Sequence, residues 1–299
     1  MHLVTLLDWK PELIGEVIDN AIKVKGSQGD YADALKNKSL CMLFQKTSTR
    51  TRVSFEAGMT QLGGHAIFLD WRASNFTLGA IQDEIRCLDR YCDIIMARVY
   101  KHADIKAMAE ASRVPVINAL CDLYHPCQIL ADLMTIKEKK GKLEGLKLAF
   151  VGDGNNVCNS LIIGGSKMGM KVAVATPKGY EPHKSAVDVG KKFGALQLYN
   201  KPEDAVKGAD VVYTDTWVSM GQEGEKEKRL RDFKGYMVDA NLMAHAKKDA
   251  LFMHCLPAHR GCEVADEVLD SKASIVFDEA ENRMHVQKAV MLKLLGVKV

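Results

Sequence analysis

No stretch of the 299 residues is apolar for long enough to span a membrane. The eight cysteines, Cys41, Cys87, Cys92, Cys121, Cys127, Cys158, Cys255 and Cys262, include no C-x-x-C pair. That argues against a zinc site, and scattered free thiols fit a reducing compartment. The formal net charge of +3 is too small to argue for nucleic acid or an acidic lipid surface. Met1-His2-Leu3-Val4-Thr5 leads at once into helix-like Pro11-Glu12-Leu13-Ile14, with neither a signal peptide nor an Arg- and Ser-rich transit segment. There is no short-period repeat and no low-complexity segment. The expectation is a cytoplasmic protein with no nucleic-acid partner, no membrane association and no metal.

What is present is an alternation of strand-like and helix-like segments. Residues 39–44, 66–69, 94–98 and 115–118 read as extended, and residues 50–62, 80–90, 102–111 and 126–140 as helical. The second half repeats the rhythm, with strands at 147–151, 171–175, 211–214, 251–254 and 274–277. This predicts an α/β fold of mainly parallel sheets covered by helices. With 47% hydrophobic and 26% charged residues, a chain of 299 holds enough core for two such domains. The charged run Lys137-Glu138-Lys139-Lys140-Gly141-Lys142 marks their junction; the plainer alternative is the solvated end of a helix. Residues 219–231, polar and glycine-bearing, read as a surface loop or lid.

Thr47-Ser48-Thr49-Arg50-Thr51-Arg52 follows a strand and opens a helix. Free backbone N–H groups and the helix dipole favour an anion there. Hydroxyls and guanidinium forks add donors suited to phosphate oxygens. An ordinary Ser/Thr cap with solvated arginines has the same appearance. His125-Pro126-Cys127-Gln128 opens the long helix, with Pro126 suited to its first position. His125 and Gln128 can both donate to a carbonyl or phosphoryl oxygen, although a capping turn with a core histidine reads identically. Arg98 ends a strand and reaches the same edge or is a solvated flank. Asp215 and Cys255 each follow a strand; alone, they read equally well as a turn aspartate and a buried inert thiol.

Taken together, these pieces resemble the aspartate/ornithine transcarbamylase family. Ser48-Thr49-Arg50-Thr51-Arg52 is similar to its carbamoyl phosphate signature, and His125-Pro126-Cys127-Gln128 to its second signature. Asp215-Thr216-Trp217-Val218-Ser219-Met220-Gly221, His254-Cys255-Leu256-Pro257 and Asp278-Glu279-Ala280-Glu281-Asn282-Arg283 resemble the ornithine-specific branch. The motifs stand in the family's order and cover nearly the whole chain.

The resemblance implies a carbamoyl phosphate domain at residues 1–136 and an ornithine domain at 137–283. A last helix, 284–299, would return to the first domain, and the active site would lie in the cleft between the two. It implies a homotrimer or a multiple of trimers, and carbamoyl transfer from carbamoyl phosphate to the side-chain amine of L-ornithine, without cofactor or metal. Ser48, Thr49, Arg50 and Thr51 would hold the phosphate. Arg98, His125 and Gln128 would hold the carbamoyl end, with Arg283, Cys255 and Leu256 beside it. Asn156, Asp215, Ser219 and Met220 would hold the amino-acid head, and Cys255 would sit by the reacting amine. Arg98, His125, Cys255 and Arg283 are the expected catalytic residues. The chain departs from the family at Thr77, where relatives carry a histidine or glutamine that reaches a neighbouring subunit's site. Threonine is shorter and offers only a hydroxyl.

A dinucleotide-binding dehydrogenase is the main rival, since Gly152-Asp153-Gly154 follows a strand and precedes a helix. Val157 stands where G-x-G-x-x-G needs its third glycine, and the loop is polar. Other acceptors (aspartate, putrescine, acetylornithine) and a non-catalytic binding protein on the same fold are the remaining alternatives.

Overall fold

The computed structural model describes residues 1–219 and 222–299. They form two compact units, Met1–Met134 with Glu281–Val299, and Thr135–Ala280. No helix among the described residues is long and apolar enough to cross a membrane.

The first unit runs α1 (Pro11–Gly26), β1 (Ser39–Phe44), α2 (Arg50–Gln61), β2 (His65–Asp70), α3 (Ile81–Leu88), β3 (Ile94–Arg98), α4 (His102–Ala111), β4 (Val116–Leu120) and the first part of α5 (Pro126–Lys140). Its four strands are all parallel, in the order β2-β1-β3-β4. β1 has a neighbour on each side and helices over both faces, so Leu40-Cys41-Met42-Leu43-Phe44 is buried throughout. That is why it reads as an unbroken apolar run. β2 lies at the edge and leaves Ile67 and Phe68 exposed. α1 buries Ile14, Val17, Ile18, Ala21 and Val24, one helical stripe. Each such aliphatic side chain contributes roughly 1.5–3 kcal/mol relative to exposure.

The second unit runs β5 (Lys147–Val151), α6 (Asn156–Lys167), β6 (Lys171–Ala175), α7 (Lys184–Lys192), β7 (Leu196–Tyr199), α8 (Pro202–Val206), β8 (Val211–Thr214), α9 (Lys226–Asp232), α10 (Ala240–Met243), β9 (Leu251–Met253), α11 (Asp266–Leu269) and the start of α12 (Val276–Leu294). Its parallel sheet has the order β7-β6-β5-β8-β9. Val151, Ala173, Val212 and Phe252 pack with Trp217, Phe233 and Val264 in its core.

Strand order reverses between β1 and β3 in the first sheet and between β5 and β8 in the second. Chain segments leaving such a pair turn to opposite sides, which opens a crevice at the carboxyl ends of the strands. The Ser48–Arg50 loop and Arg98 flank the first reversal; Asn155, Asn156 and Asp215 flank the second.

One expected strand is absent. Residues 274–277 meet β9 only through Phe252 N–H to Ala273 O at 2.8 Å and Ile275 N–H to Phe252 O at 3.0 Å, and then enter α12. The β-branched run Ile275-Val276 mimics a strand, but Asp278 and Glu279 fill the first turn of a helix that follows at once. The expected loop at 219–231 likewise contains α9, whose Arg229 is buried.

Candidate functional site

In the first unit the loop after β1 delivers Ser48 and Thr49 to the start of α2. Ser48 Oγ accepts the Thr51 N–H at 3.3 Å, whereas Thr49, at the cap position, makes no side-chain cap bond. Ser48 therefore caps the helix and the Thr49 hydroxyl is uncommitted to that task. Arg98 ends β3 at a register shift against β4, and its Nη1 donates to Thr51 Oγ1 at 3.5 Å. Both are buried.

α5 opens with His125 and Gln128 buried at its amino end. Arg283, from the part of α12 that belongs to the first unit, places Nη1 3.4 Å from His125 Nε2 and also donates it to Gln128 Oε1. Its Nε and Nη2 are buried with no hydrogen-bond partner among the described residues. Burying a guanidinium with donors unmet is costly, and an anionic or carbonyl ligand offsets that cost. Burial, together with the charges of Arg283, Arg98 and Arg50, holds the His125 pKa well below its usual 6.5. The imidazole is neutral at pH 7 and can donate one N–H without adding charge.

A hollow of about 270 Å³ opens beside the same loop, lined by Ser48, Thr49, Arg52, Phe68 and Arg72 among others. The Arg52 guanidinium lies 3.8 Å from the centre of the Phe68 ring. This cation–π contact holds Arg52 over the exposed edge strand.

In the second unit β5, β8 and β9 bring three distant motifs together. Cys255 Sγ donates to Asp215 Oδ1 at 3.1 Å, and Asn155 Nδ2 donates to Asp215 Oδ2 at 2.8 Å. Asn155 Oδ1 in turn accepts the N–H groups of Val157 and Cys158, capping α6. Asn156 is the first residue of that helix. Leu256, with a positive φ of 56° before the cis Leu256–Pro257 bond, donates its N–H to His254 Nδ1 at 2.9 Å. The other ring nitrogen of His254 lies 3.2 Å from Glu263, so the imidazole is the Nε2–H tautomer. Asp215, His254 and Cys255 each bring a ligand atom within 4.8 Å of the others. Both imidazole nitrogens of His254 are already engaged with protein groups, so the trio is a hydrogen-bonded cluster rather than a ready metal cage.

Asp153 is buried against Arg229, whose Nη1 lies 2.7 Å from its carboxylate and 2.9 Å from the Trp217 carbonyl. Burial pushes the Asp153 pKa up to about 6, against the pull of Arg229 and with help from the nearby negative charge of Asp215. In Gly152-Asp153-Gly154 the first glycine takes a positive φ of 143°, and the second has a packing explanation. A Cβ on Gly154 would collide with the backbone of Glu181 and Pro182, and its N–H bonds to Tyr180 O at 2.9 Å. A neighbouring loop thus fills the space in which a dinucleotide's pyrophosphate would lie.

Within the first unit the structure thus links Thr51 to Arg98, and Arg283 to His125 and Gln128, with Ser48 beside Thr51. Within the second it joins Cys255 to Asp215, with Asn156 opening α6 and Leu256 in the loop after β9. Ser219 makes a local contact, its N–H to Gln222 Oε1 at 3.0 Å. Met220 lies outside the described residues. Two residues escaped the sequence reading: Asn155, whose signal was its place before a helix with two free N–H groups, and Asp132, whose signal was its i,i+4 spacing from Gln128 on α5.

The first unit thus gathers buried guanidinium donors near its strand reversal, and the second sets a carboxylate beside a thiol near its own. Residues 1–138 match the aspartate/ornithine carbamoyltransferase carbamoyl-P binding domain, and residues 144–294 match the Asp/Orn binding domain of the same family. Among similar proteins, the ornithine carbamoyltransferase of Pyrococcus horikoshii is 52% identical over 98% of this chain and 95% of its own. That of Archaeoglobus fulgidus is 50% identical over 99% and 97%. The solved ornithine carbamoyltransferase of Pyrococcus furiosus superposes with a TM-score of 0.95 at 49% identity, covering 100% of this chain and 98% of that one. The chain belongs to the aspartate/ornithine carbamoyltransferase family.

Proposed function

We propose that this chain transfers the carbamoyl group of carbamoyl phosphate to the side-chain amine of L-ornithine, giving L-citrulline and phosphate, a step of arginine biosynthesis. The neutral amine attacks the carbonyl carbon. Its electron pair drives the carbonyl electrons onto oxygen; the nitrogen then gives a proton to a phosphate oxygen, and collapse of the intermediate expels hydrogen phosphate. Ser48, Thr49, Arg50 and Thr51 hold the phosphate. Arg98 and His125 donate to the carbonyl oxygen as charge builds on it, and Gln128 and Arg283 hold the carbamoyl end with Leu256. Donors aimed at a developing oxyanion are each worth on the order of 100- to 1000-fold in rate. Neutral His125 fits this role, because it stabilises charge without protonating the incoming amine.

In the second unit Asp215 accepts from the α-ammonium of ornithine, aided by Ser219. Asn156 and the Met220 backbone donate to its carboxylate. Cys255 sits by the reacting amine and helps align it. The observation that carries the choice of acceptor is the Cys255–Asp215 contact at 3.1 Å. It sets a carboxylate beside the thiol, the wrong sign for the second carboxylate of aspartate. Putrescine and acetylornithine have no α-ammonium for Asp215 to meet, and a buried carboxylate left without a cation discriminates against them. A solved N-acetyl-L-ornithine transcarbamylase is a more distant likeness, at 32% identity.

A colorimetric citrulline assay with ornithine, against parallel assays of aspartate, putrescine and acetylornithine, tests the assignment. Turnover of putrescine without turnover of ornithine overturns it. The enzyme is further proposed to be cytoplasmic and to assemble as a homotrimer or multiple of trimers, which mass photometry measures directly. The Thr77 hydroxyl, which donates to the Ser74 carbonyl at 3.1 Å, then offers a neighbouring subunit only an acceptor oxygen.

A further inference from the structure

Within the second unit, the start of α12 takes a hydrogen-bond acceptor away from β9 and gives one back. Residues 273–275 run beside β9, with Phe252 N–H to Ala273 O at 2.8 Å and Ile275 N–H to Phe252 O at 3.0 Å. A parallel ladder continued by one step would carry His254 N–H to Ile275 O. That carbonyl instead accepts the Glu279 N–H at 2.9 Å, the bond that closes the first turn of the helix. A buried N–H left without a partner is costly, and Glu279 supplies the replacement with its side chain: Oε2 accepts His254 N–H at 3.1 Å. Its other oxygen, Oε1, accepts the Tyr213 hydroxyl at 3.1 Å. Glu279, His254 and Tyr213 are each 0% exposed, and the Tyr213 ring stacks on Phe150 with centroids 5.8 Å apart. The ladder between β8 and β9 ends at the pair Tyr213–Met253. One carboxylate therefore grips both strands where they stop gripping each other. Asp215 follows two residues after Tyr213, and Cys255 directly follows His254.

We propose that Glu279 is a positioning residue for carbamoyl transfer: by tying the ends of β8 and β9 together, it sets the distance between the Asp215 carboxylate and the Cys255 thiol. The bond between those two, 3.1 Å long, depends on how far the strand ends splay. Glu279 acts on the reaction through where they stand, and misplacing an aligned group by about 1 Å can cost on the order of 100-fold in rate. This rests on the reading of Asp215 and Cys255 as the groups that meet ornithine.

The test measures steady-state kinetics with each substrate varied in turn. It uses the wild type, Glu279→Ala, Glu279→Gln, Tyr213→Phe, and Glu279→Ala combined with Cys255→Ala, with Cys255→Ala and Asp215→Asn as references. Glu279→Ala loses both ties and should lower kcat/KM for ornithine about tenfold or more, while the carbamoyl phosphate KM stays within about twofold. Glu279→Gln should recover most of that loss, since Oε1 can still accept His254 N–H and the Tyr213 hydroxyl can turn to accept from the amide nitrogen. Tyr213→Phe removes one tie and should show a smaller loss of the same kind, about threefold. In the Cys255→Ala background, Glu279→Ala should cost less than it does alone. A carbamoyl phosphate KM that rises in parallel, a glutamine variant no better than the alanine, or fully additive losses with Cys255→Ala would each overturn the proposal. If Glu279→Ala does not fold, Tyr213→Phe decides: unchanged ornithine kinetics, or a loss shared with carbamoyl phosphate, overturns it. If Cys255→Ala and Asp215→Asn both keep wild-type ornithine kinetics, it is the underlying reading of that pair that fails.

Discussion

The Cys255 thiol donates to Asp215 Oδ1 at 3.1 Å, although the two residues end different strands. β8 and β9 are neighbours in the sheet, so residues forty positions apart leave it side by side. Asp215 also takes the Asn155 amide at 2.8 Å. Its carboxylate is thus fixed before any substrate arrives, and its orientation costs nothing on binding.

Removing the thiol should separate binding from turnover. Cys255→Ala is expected to fold normally and to bind carbamoyl phosphate as the wild type does. It should lower kcat at least about tenfold and raise the KM for ornithine, as loss of an aligned group does. Steady-state kinetics with each substrate varied in turn checks this. Wild-type constants would remove Cys255 from the mechanism.

Neutralising the carboxylate should act on the acceptor alone. Asp215→Asn keeps the shape and loses the charge that meets an α-ammonium. kcat/KM for ornithine should fall on the order of 10- to 100-fold, the worth of a hydrogen bond between charged groups. The KM for carbamoyl phosphate should stay put. An equal loss on both substrates would mean that Asp215 supports the fold and not the ornithine head.

His125 carries a stability signature of its own. Its pKa in the folded chain is depressed by burial and by three guanidinium charges. The unfolded chain therefore binds a proton near pH 6.5 that the folded chain refuses, and stability falls as pH drops below that value. His125→Gln lacks this linkage. Thermal melts of the two proteins from pH 8 to pH 5 should show the wild type losing ground to the variant below about pH 6.5. Parallel curves would contradict a neutral buried imidazole.

Arg229 and Asp153 make a pair whose members are not equivalent. Arg229→Met leaves a buried carboxylate unmatched and should cost about 3 kcal/mol or more. Asp153→Asn keeps a hydrogen-bond acceptor and should cost less. Burial already raises the Asp153 pKa to about 6, and loss of the arginine raises it further. A raised acid is tolerated when protonated and becomes costly as pH climbs through its pKa. The methionine variant should therefore melt closer to the wild type at pH 5 than at pH 8.

Much of the fold could be read from the residues because its central strands are buried on both faces. Runs such as Leu40–Phe44 and Lys147–Val151 are short, apolar and bounded by polar segments, which leaves little ambiguity about where they begin and end. The run from Ser274 to Phe277 misled for the same reason, since two backbone bonds to β9 give it strand character for only two residues. The candidate site was legible where a residue type stands at a strand end, as Arg98 and Asp215 do. Asn155 acts through Asp215, which only the folded chain brings close. Asp132 lies one helical turn from Gln128, a spacing at which Gln and Asp meet on any helix, so that pair could have been read from the sequence.

The first unit is not finished when its first 134 residues have been made. Its remaining part, Glu281–Val299, carries Arg283 and the buried stripe Val286, Ala289, Val290 and Leu292. During synthesis those residues emerge only after the whole second unit has left the ribosome. The nascent amino-terminal segment must therefore wait with an uncovered apolar face, which makes it the stage at which chaperone capture is most useful.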